Sequence, residues 1–188
     1  MTWLVVITCY FLGAIPTAYI AGRLLKGKDI RLMGDGNMGA QNAFRHLGPR
    51  TGVIVGVIDV GKGVLAILLA HSAGISLAAT LTAGIATVAG HNWPIFIGFR
   101  GGRGESTSIG ILLTLLTQPM LIVAGPAAFV LFLKRNVTLA SVFLFVPLPL
   151  VGWWLGFSGL LITYSMALPA LVGFTHLLRL RQAAVRHA

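Results

Sequence analysis

A chain of 188 residues that is 56% hydrophobic and only 10% charged departs far from soluble domains, in which about a quarter of residues are charged. Its formal net charge of +10 rests on 14 Lys and Arg against 4 Asp and Glu. The cations are scattered between apolar runs with no basic helix, zinc pattern or RNA-binding signature, which excludes a nucleic-acid-binding protein, and the single cysteine, Cys9, excludes disulfides within the chain and cysteine-ligated metals.

Taken from the N-terminus, apolar runs cover 3–24, 52–71, 73–91, 106–118, 119–133, 138–155 and 158–178. Roughly 20 apolar residues cross a bilayer core as a helix, so each run is read as a span. The first lacks a basic segment before it and reads as a retained span rather than a cleaved signal. The punctuation between runs is short and rich in Gly and Pro, as in Gln118-Pro119 and Gly156-Phe157-Ser158-Gly159, which suits helix ends. Runs 106–118 and 119–133 are short for a bilayer and are expected to tilt, to pair as a hairpin or to be partly re-entrant. Pro126 and Pro147/Pro149 are expected to kink their helices.

The cations then orient the chain. Lys26, Lys28, Arg31, Arg45 and Arg50 lie in the first connection, Arg100 and Arg103 in the third, Lys134 and Arg135 in the fifth, and Arg179, Arg181 and Arg186 in the tail. The second, fourth and sixth connections hold neither Lys nor Arg. By the positive-inside rule, the odd connections and the C-terminus face the cytoplasm and the N-terminus lies outside. The expected fold is therefore an all-α integral membrane protein of seven transmembrane helices, forming a single polytopic domain over residues 1–188.

Two cytoplasmic loops combine Gly with Arg. The first, about 27 residues and long for a compact bundle, contains Gly34-Asp35-Gly36-Asn37-Met38-Gly39-Ala40-Gln41-Asn42-Ala43-Phe44-Arg45. The second contains Phe99-Arg100-Gly101-Gly102-Arg103-Gly104-Glu105-Ser106-Thr107. Glycine lets backbone N–H groups converge on an anion and arginine supplies planar, permanently charged donors, a combination suited to phosphate. Glu105 reads either as a helix-start acid pairing with Arg100 or Arg103 or as a functional group. His91, beside Trp93 and Pro94, reads either as an interfacial residue or as a functional one. Asp59 and Lys62 stand three apart on one helix face and read as a structural pair. Ser141 is a ligand contact or a helix cap. His176, at the cytoplasmic end of the last run, is the best-placed titratable base, while His46, His71 and His187 have no companions. No acids or histidines stand at metal-ligand spacing, so no metal is expected.

At these loops the chain resembles the bacterial acyl-phosphate-dependent glycerol-3-phosphate acyltransferases, the PlsY family. The matching residues run in order from Gly13-Ala14-Ile15-Pro16-Thr17-Ala18-Tyr19 through Gly34–Arg45, Gly48, Asp59-Val60-Gly61-Lys62-Gly63, Gly90-His91, Pro94 and Phe99–Gly104 to Ser141 and His176. The resemblance implies an enzyme of the bacterial cytoplasmic membrane, its site facing the cytoplasm, that moves an acyl chain from acyl phosphate to the sn-1 hydroxyl of glycerol 3-phosphate. The product is lysophosphatidic acid, and neither cofactor nor metal is implied. It further implies that Arg45 and Arg103 hold substrate phosphate, that the Gly101, Gly102 and Gly104 amides hold the acyl phosphate, and that Asn37, Asn42 and Ser141 orient glycerol 3-phosphate. His176 would position or deprotonate the acceptor.

The chain departs from that family at Asp35, where Ser is usual, at Gln41 and Glu105, at Arg103 in place of Lys, and at Arg179 in place of Asn. A carboxylate near phosphates is repelled unless Arg45 or Arg103 neutralises it or it serves as a general base, and Asp35 is therefore placed in the catalytic set with Arg45 and His176. These departures keep two other readings in view: a divergent paralogue with an altered acceptor or with lipid-headgroup binding alone, and a small anion transporter.

Overall fold

The structure is a computed structural model that describes the backbone of residues 1–186 and the side chains of residues 1–178. All regular structure among the described residues is helical. The helices are α1 (Thr2–Ala14), α2 (Thr17–Lys26), α3 (Ala40–Leu47), α4 (Pro49–Ser72), α5 (Leu77–Asn92), α6 (Glu105–Leu115), α7 (Thr117–Lys134), α8 (Val137–Phe145), α9 (Leu148–Trp154) and α10 (Gly159–Arg186), with single 3₁₀ turns at Ile30–Leu32 and Ile95–Ile97.

Five stretches are long and apolar enough to cross a membrane: Thr2–Lys26, Pro49–Ser72, Thr117–Lys134, Val137–Trp154 and Gly159–Leu178. The runs read at 73–91 and 106–118 form helices of 16 and 11 residues, about 24 and 16 Å long at 1.5 Å per residue. The first stretch is broken where the sequence reading drew one helix. Pro16 has no N–H to donate and ends α1 at Ala14, α2 beginning at Thr17. A second proline break, at Pro147, separates α8 from α9 as expected, whereas Pro126 sits inside a continuous α7.

The backbone packs as two compact units, Met1–Ile111 with the chain from Val172 onward, and Leu112–Leu171. The divides fall inside α6 and α10 rather than in a linker. In the first unit, α1 and α5 approach closely because Gly13 lies on the Thr87 carbonyl and Gly90 on the Tyr10 carbonyl, with no space for a β-carbon at either. Gly63 and Gly110 bring α4 and α6 together in the same way. Small residues let helix backbones meet where lipid supplies no hydrophobic drive between helices. In the second unit, α7 packs on α8 and α9, around buried Met120, Val123, Ala140, Leu144 and Leu148.

The break at Pro16 is bridged by a buried ion pair. Lys62 reaches Asp59 at 2.7 Å, donates to the Ile15 carbonyl at 2.6 Å and contacts the Thr17 hydroxyl. Thr17 in turn donates to Asp59 at 3.0 Å. Lys62 and Asp59 are 3% and 1% exposed, so the pairing expected from their spacing holds, and the ammonium shares the Ile15 carbonyl at the helix break with the Thr17 N–H, which donates to it at 3.0 Å.

Candidate active site

The first Gly/Arg loop is more ordered than a 27-residue connection suggests, because α2 extends to Lys26 and α3 occupies Ala40–Leu47. Asn42 holds it together: buried at 4% exposure, its amide nitrogen donates toward the carbonyls of Met33 and Asn37 at 2.9 Å each and of Ile30 at 3.3 Å. The donors expected to orient a substrate are thus spent inside the loop, since an amide NH₂ carries only two hydrogens. Gly34, with φ of +58°, lies against Asn42 and His46, where a β-carbon would collide. Beside it, Asp29 accepts from the Arg31 side chain at 2.7–3.1 Å, and this hydrogen-bonded guanidinium holds the Asp29 carboxyl below the usual carboxylate range. Tyr19 stacks with Arg23 and Arg31, whose guanidinium carbons stand 5.3 and 5.0 Å from its ring centre.

The second loop is built on the end of α5. Gly101 N–H donates to the Asn92 carbonyl at 3.1 Å and Gly102 N–H to the His91 carbonyl at 3.0 Å. Those two amides are committed to the backbone, which corrects the expectation that they are free for an acyl phosphate. Gly102 lies on the His91 ring so closely that no side chain fits between them. His91 itself is buried at 7% exposure, with Nδ1 3.8 Å from Asp59, and is not an interfacial belt residue. Glu105 opens α6, as the helix-start reading expects.

Two arginines tie the loops to one another. Arg31 of the first donates to the Ile97 carbonyl of the second at 2.8 Å, and Arg103 of the second donates to Asp35 of the first at 2.9 Å. Arg103 therefore neutralises Asp35, one of the alternatives that the sequence leaves open. Asp35 is also bonded within its own loop, accepting from the Asn37 N–H at 3.1 Å. From the other side, the Thr175 hydroxyl meets the Arg103 carbonyl at 3.2 Å, so α10 delivers the neighbouring His176 to this centre. His176 lies within electrostatic reach of Arg103, Asp35 and Glu105.

The remaining expected residues are Arg45, Asn37 and Ser141. Arg45 is exposed in the last turn of α3 and forms no ion pair among the described residues. Asn37 presents its side chain half-buried in the first loop. Ser141 belongs to the second unit, where its hydroxyl donates to the Val137 carbonyl at 2.8 Å. The side chains of Arg179, Arg181 and Arg186, and His187 entirely, fall outside the described residues. Three contributors were not singled out from the sequence. The first is Thr175, whose hydroxyl follows no pattern. The others are Arg31 and Asp29, whose proximity in sequence was visible but whose reach to Ile97 was not.

An all-helical chain with long apolar spans and a paired-loop, cation-bearing polar site is an integral membrane protein built to handle an anionic substrate. The glycerol-3-phosphate acyltransferase family profile matches residues 3–186, and the chain belongs to that family. It is 50% identical over 182 residues to glycerol-3-phosphate acyltransferase 4 of Dehalococcoides mccartyi, covering 97% of this chain and 98% of the relative. It is 40% identical over 172 residues to the glycerol-3-phosphate acyltransferase of Prochlorococcus marinus, covering 92% and 84% respectively. The crystal structure of PlsY, an integral membrane glycerol 3-phosphate acyltransferase in its glycerol 3-phosphate form, superposes with a TM-score of 0.86 at 31% identity, covering 98% of this chain and 92% of that one. The lysophosphatidic acid form of the same enzyme gives a TM-score of 0.80 at 29% identity with the same coverage.

Proposed function

We propose that this acyltransferase moves an acyl chain from acyl phosphate to the sn-1 hydroxyl of glycerol 3-phosphate, yielding lysophosphatidic acid and inorganic phosphate. The hydroxyl oxygen bonds to the acyl carbon, the bond from that carbon to the phosphate oxygen breaks, and the hydroxyl proton leaves with phosphate or through His176. The observation that carries this reading is the reciprocal arginine clasp, Arg31 to Ile97 and Arg103 to Asp35, which makes two Gly-rich loops the walls of one anion site beside His176. Arg45 and Arg103 hold phosphate, Asn37 orients the acceptor, and Gly104 offers its N–H to the acyl phosphate in place of the committed Gly101 and Gly102 amides; a role for Ser141 in orienting the acceptor is proposed from the family resemblance alone. The site faces the cytoplasm of a bacterial inner membrane, on a chain of seven crossings with its N-terminus outside. A carboxylate in such a site raises the rival reading of a paralogue with another acceptor.

The test is release of phosphate from palmitoyl phosphate by purified full-length protein in detergent. Release should require glycerol 3-phosphate and fall at least about 100-fold in His176→Ala and in Arg45→Ala, the scale of positioned proton-transfer and charge-stabilising groups. Release without glycerol 3-phosphate, or full activity in both variants, overturns the assignment.

A further inference from the structure

The Arg103 guanidinium is incompletely served. An arginine fork presents Nε and one Nη side by side to two oxygens of a single anion. Asp35 fills only half of it: Oδ2 takes Nη2 at 2.9 Å, while Oδ1 is held by the Asn37 N–H at 3.1 Å. Arg103 Nε is left buried with no acceptor among the described residues, a state that buried donors rarely tolerate. Asp35 is bound in its own loop by the Asn37 turn, and its side chain remains 43% exposed against 18% for Arg103. The carboxylate is thus within reach of solvent, and the cation beneath it has a donor to spare. A phosphate group, with three terminal oxygens, can fill both Nε and Nη2 where the tethered carboxylate cannot.

From this we infer that Asp35 is a built-in stand-in for substrate phosphate on Arg103, a carboxylate that a phosphate ligand displaces, and that it sets how tightly the site holds phosphate. This deepens the acyltransferase reading and rests on it for the identity of the phosphate ligand. Asp35 holds Arg103 in place when no ligand is bound and competes with the ligand that arrives. Replacing the carboxylate by a neutral side chain removes the competitor and one negative charge close to the bound dianion, a change on the order of tenfold in affinity for charges near a protein surface.

The probe is inorganic phosphate. Its apparent affinity is read from the rise in thermal unfolding midpoint of the detergent-solubilised full chain, against sodium chloride at equal ionic strength. Asp35→Asn and Asp35→Ser should bind phosphate about tenfold more tightly than the parent chain, and Arg103→Gln should bind it more weakly. On the Arg103→Gln background, Asp35→Asn should bring a clearly smaller gain, because the competition it relieves no longer exists and only the repulsion between carboxylate and phosphate is left to remove. Unchanged or weaker phosphate binding in Asp35→Asn overturns the inference, as does an equal gain on both backgrounds. In turnover, Asp35→Asn should lower the KM for the phosphate substrates with kcat changed by less than that factor. A collapse of kcat at constant KM would make Asp35 a participant in the chemistry instead. The phosphate titration needs no turnover, so it stands or falls separately from the identity of donor and acceptor.

Discussion

Lys62 illustrates how one side chain serves two needs of a membrane fold. Its ammonium balances buried Asp59 and caps the Ile15 carbonyl beside Pro16. Lys62→Met should destabilise the protein by about 3–5 kcal/mol, because it leaves an uncompensated buried carboxylate, measurable by unfolding in mixed detergent. Asp59→Asn combined with Lys62→Met should cost less than the sum of the two single changes. Spacing alone made this pair legible, since residues three apart share a helix face. The Asp35–Arg103 contact was only half legible: opposite charges in two loops are candidates for pairing, but which cation meets Asp35 depends on how the loops meet. Asn42 was misjudged for a related reason. An amide reads the same in sequence whether it faces a ligand or the carbonyls of its own loop, and only its burial shows that it supports the loop.

At the scale of elements, close approach depends on glycine. Gly90→Ala would drive a methyl group into the Tyr10 backbone and should lower stability by about 1–3 kcal/mol, the usual cost of overpacking. Gly61→Ala, at the residue before Lys62 on α4 with open space around it, should be neutral or stabilising by up to about 1 kcal/mol. Thermal unfolding of both variants in one detergent separates a packing effect from simple helix propensity. The apolar runs made the long helices legible, and Pro147 marked the division of α8 from α9. The break at Pro16 was masked by the length of the surrounding hydrocarbon, and α3 was missed because its apolar stripe, Ala40, Ala43, Phe44 and Leu47, spans only eight residues before the φ of +107° at Gly48 ends it, too short a run to stand out among the polar residues of the loop. The runs at 73–91 and 106–118 fold as helices of 16 and 11 residues, because composition reports what is greasy, whereas length in the fold is set by where the backbone turns.

At the scale of the whole molecule, the hydrophobic surplus lies largely on the outside, with Trp3, Leu24, Val57, Leu121, Phe132, Trp153 and Trp154 all more than 60% exposed. That is an envelope for lipid rather than for water. The orientation proposed for it is open to direct labelling. In intact spheroplasts a membrane-impermeant maleimide should reach Ser72→Cys and Ser158→Cys, and should reach Lys28→Cys and Lys134→Cys only after permeabilisation. Labelling of Ser72→Cys and Lys28→Cys from the same side would make the run between them re-entrant. The chain is already suited to such an experiment. Its one native thiol, Cys9, has no exposed surface and donates to the Ala66 carbonyl at 3.7 Å, so a polar reagent meets an unreactive background. Any single cysteine introduced at the surface, whether for a fluorophore, a spin label or a crosslinker, becomes the one addressable point on the protein without a native residue being removed first.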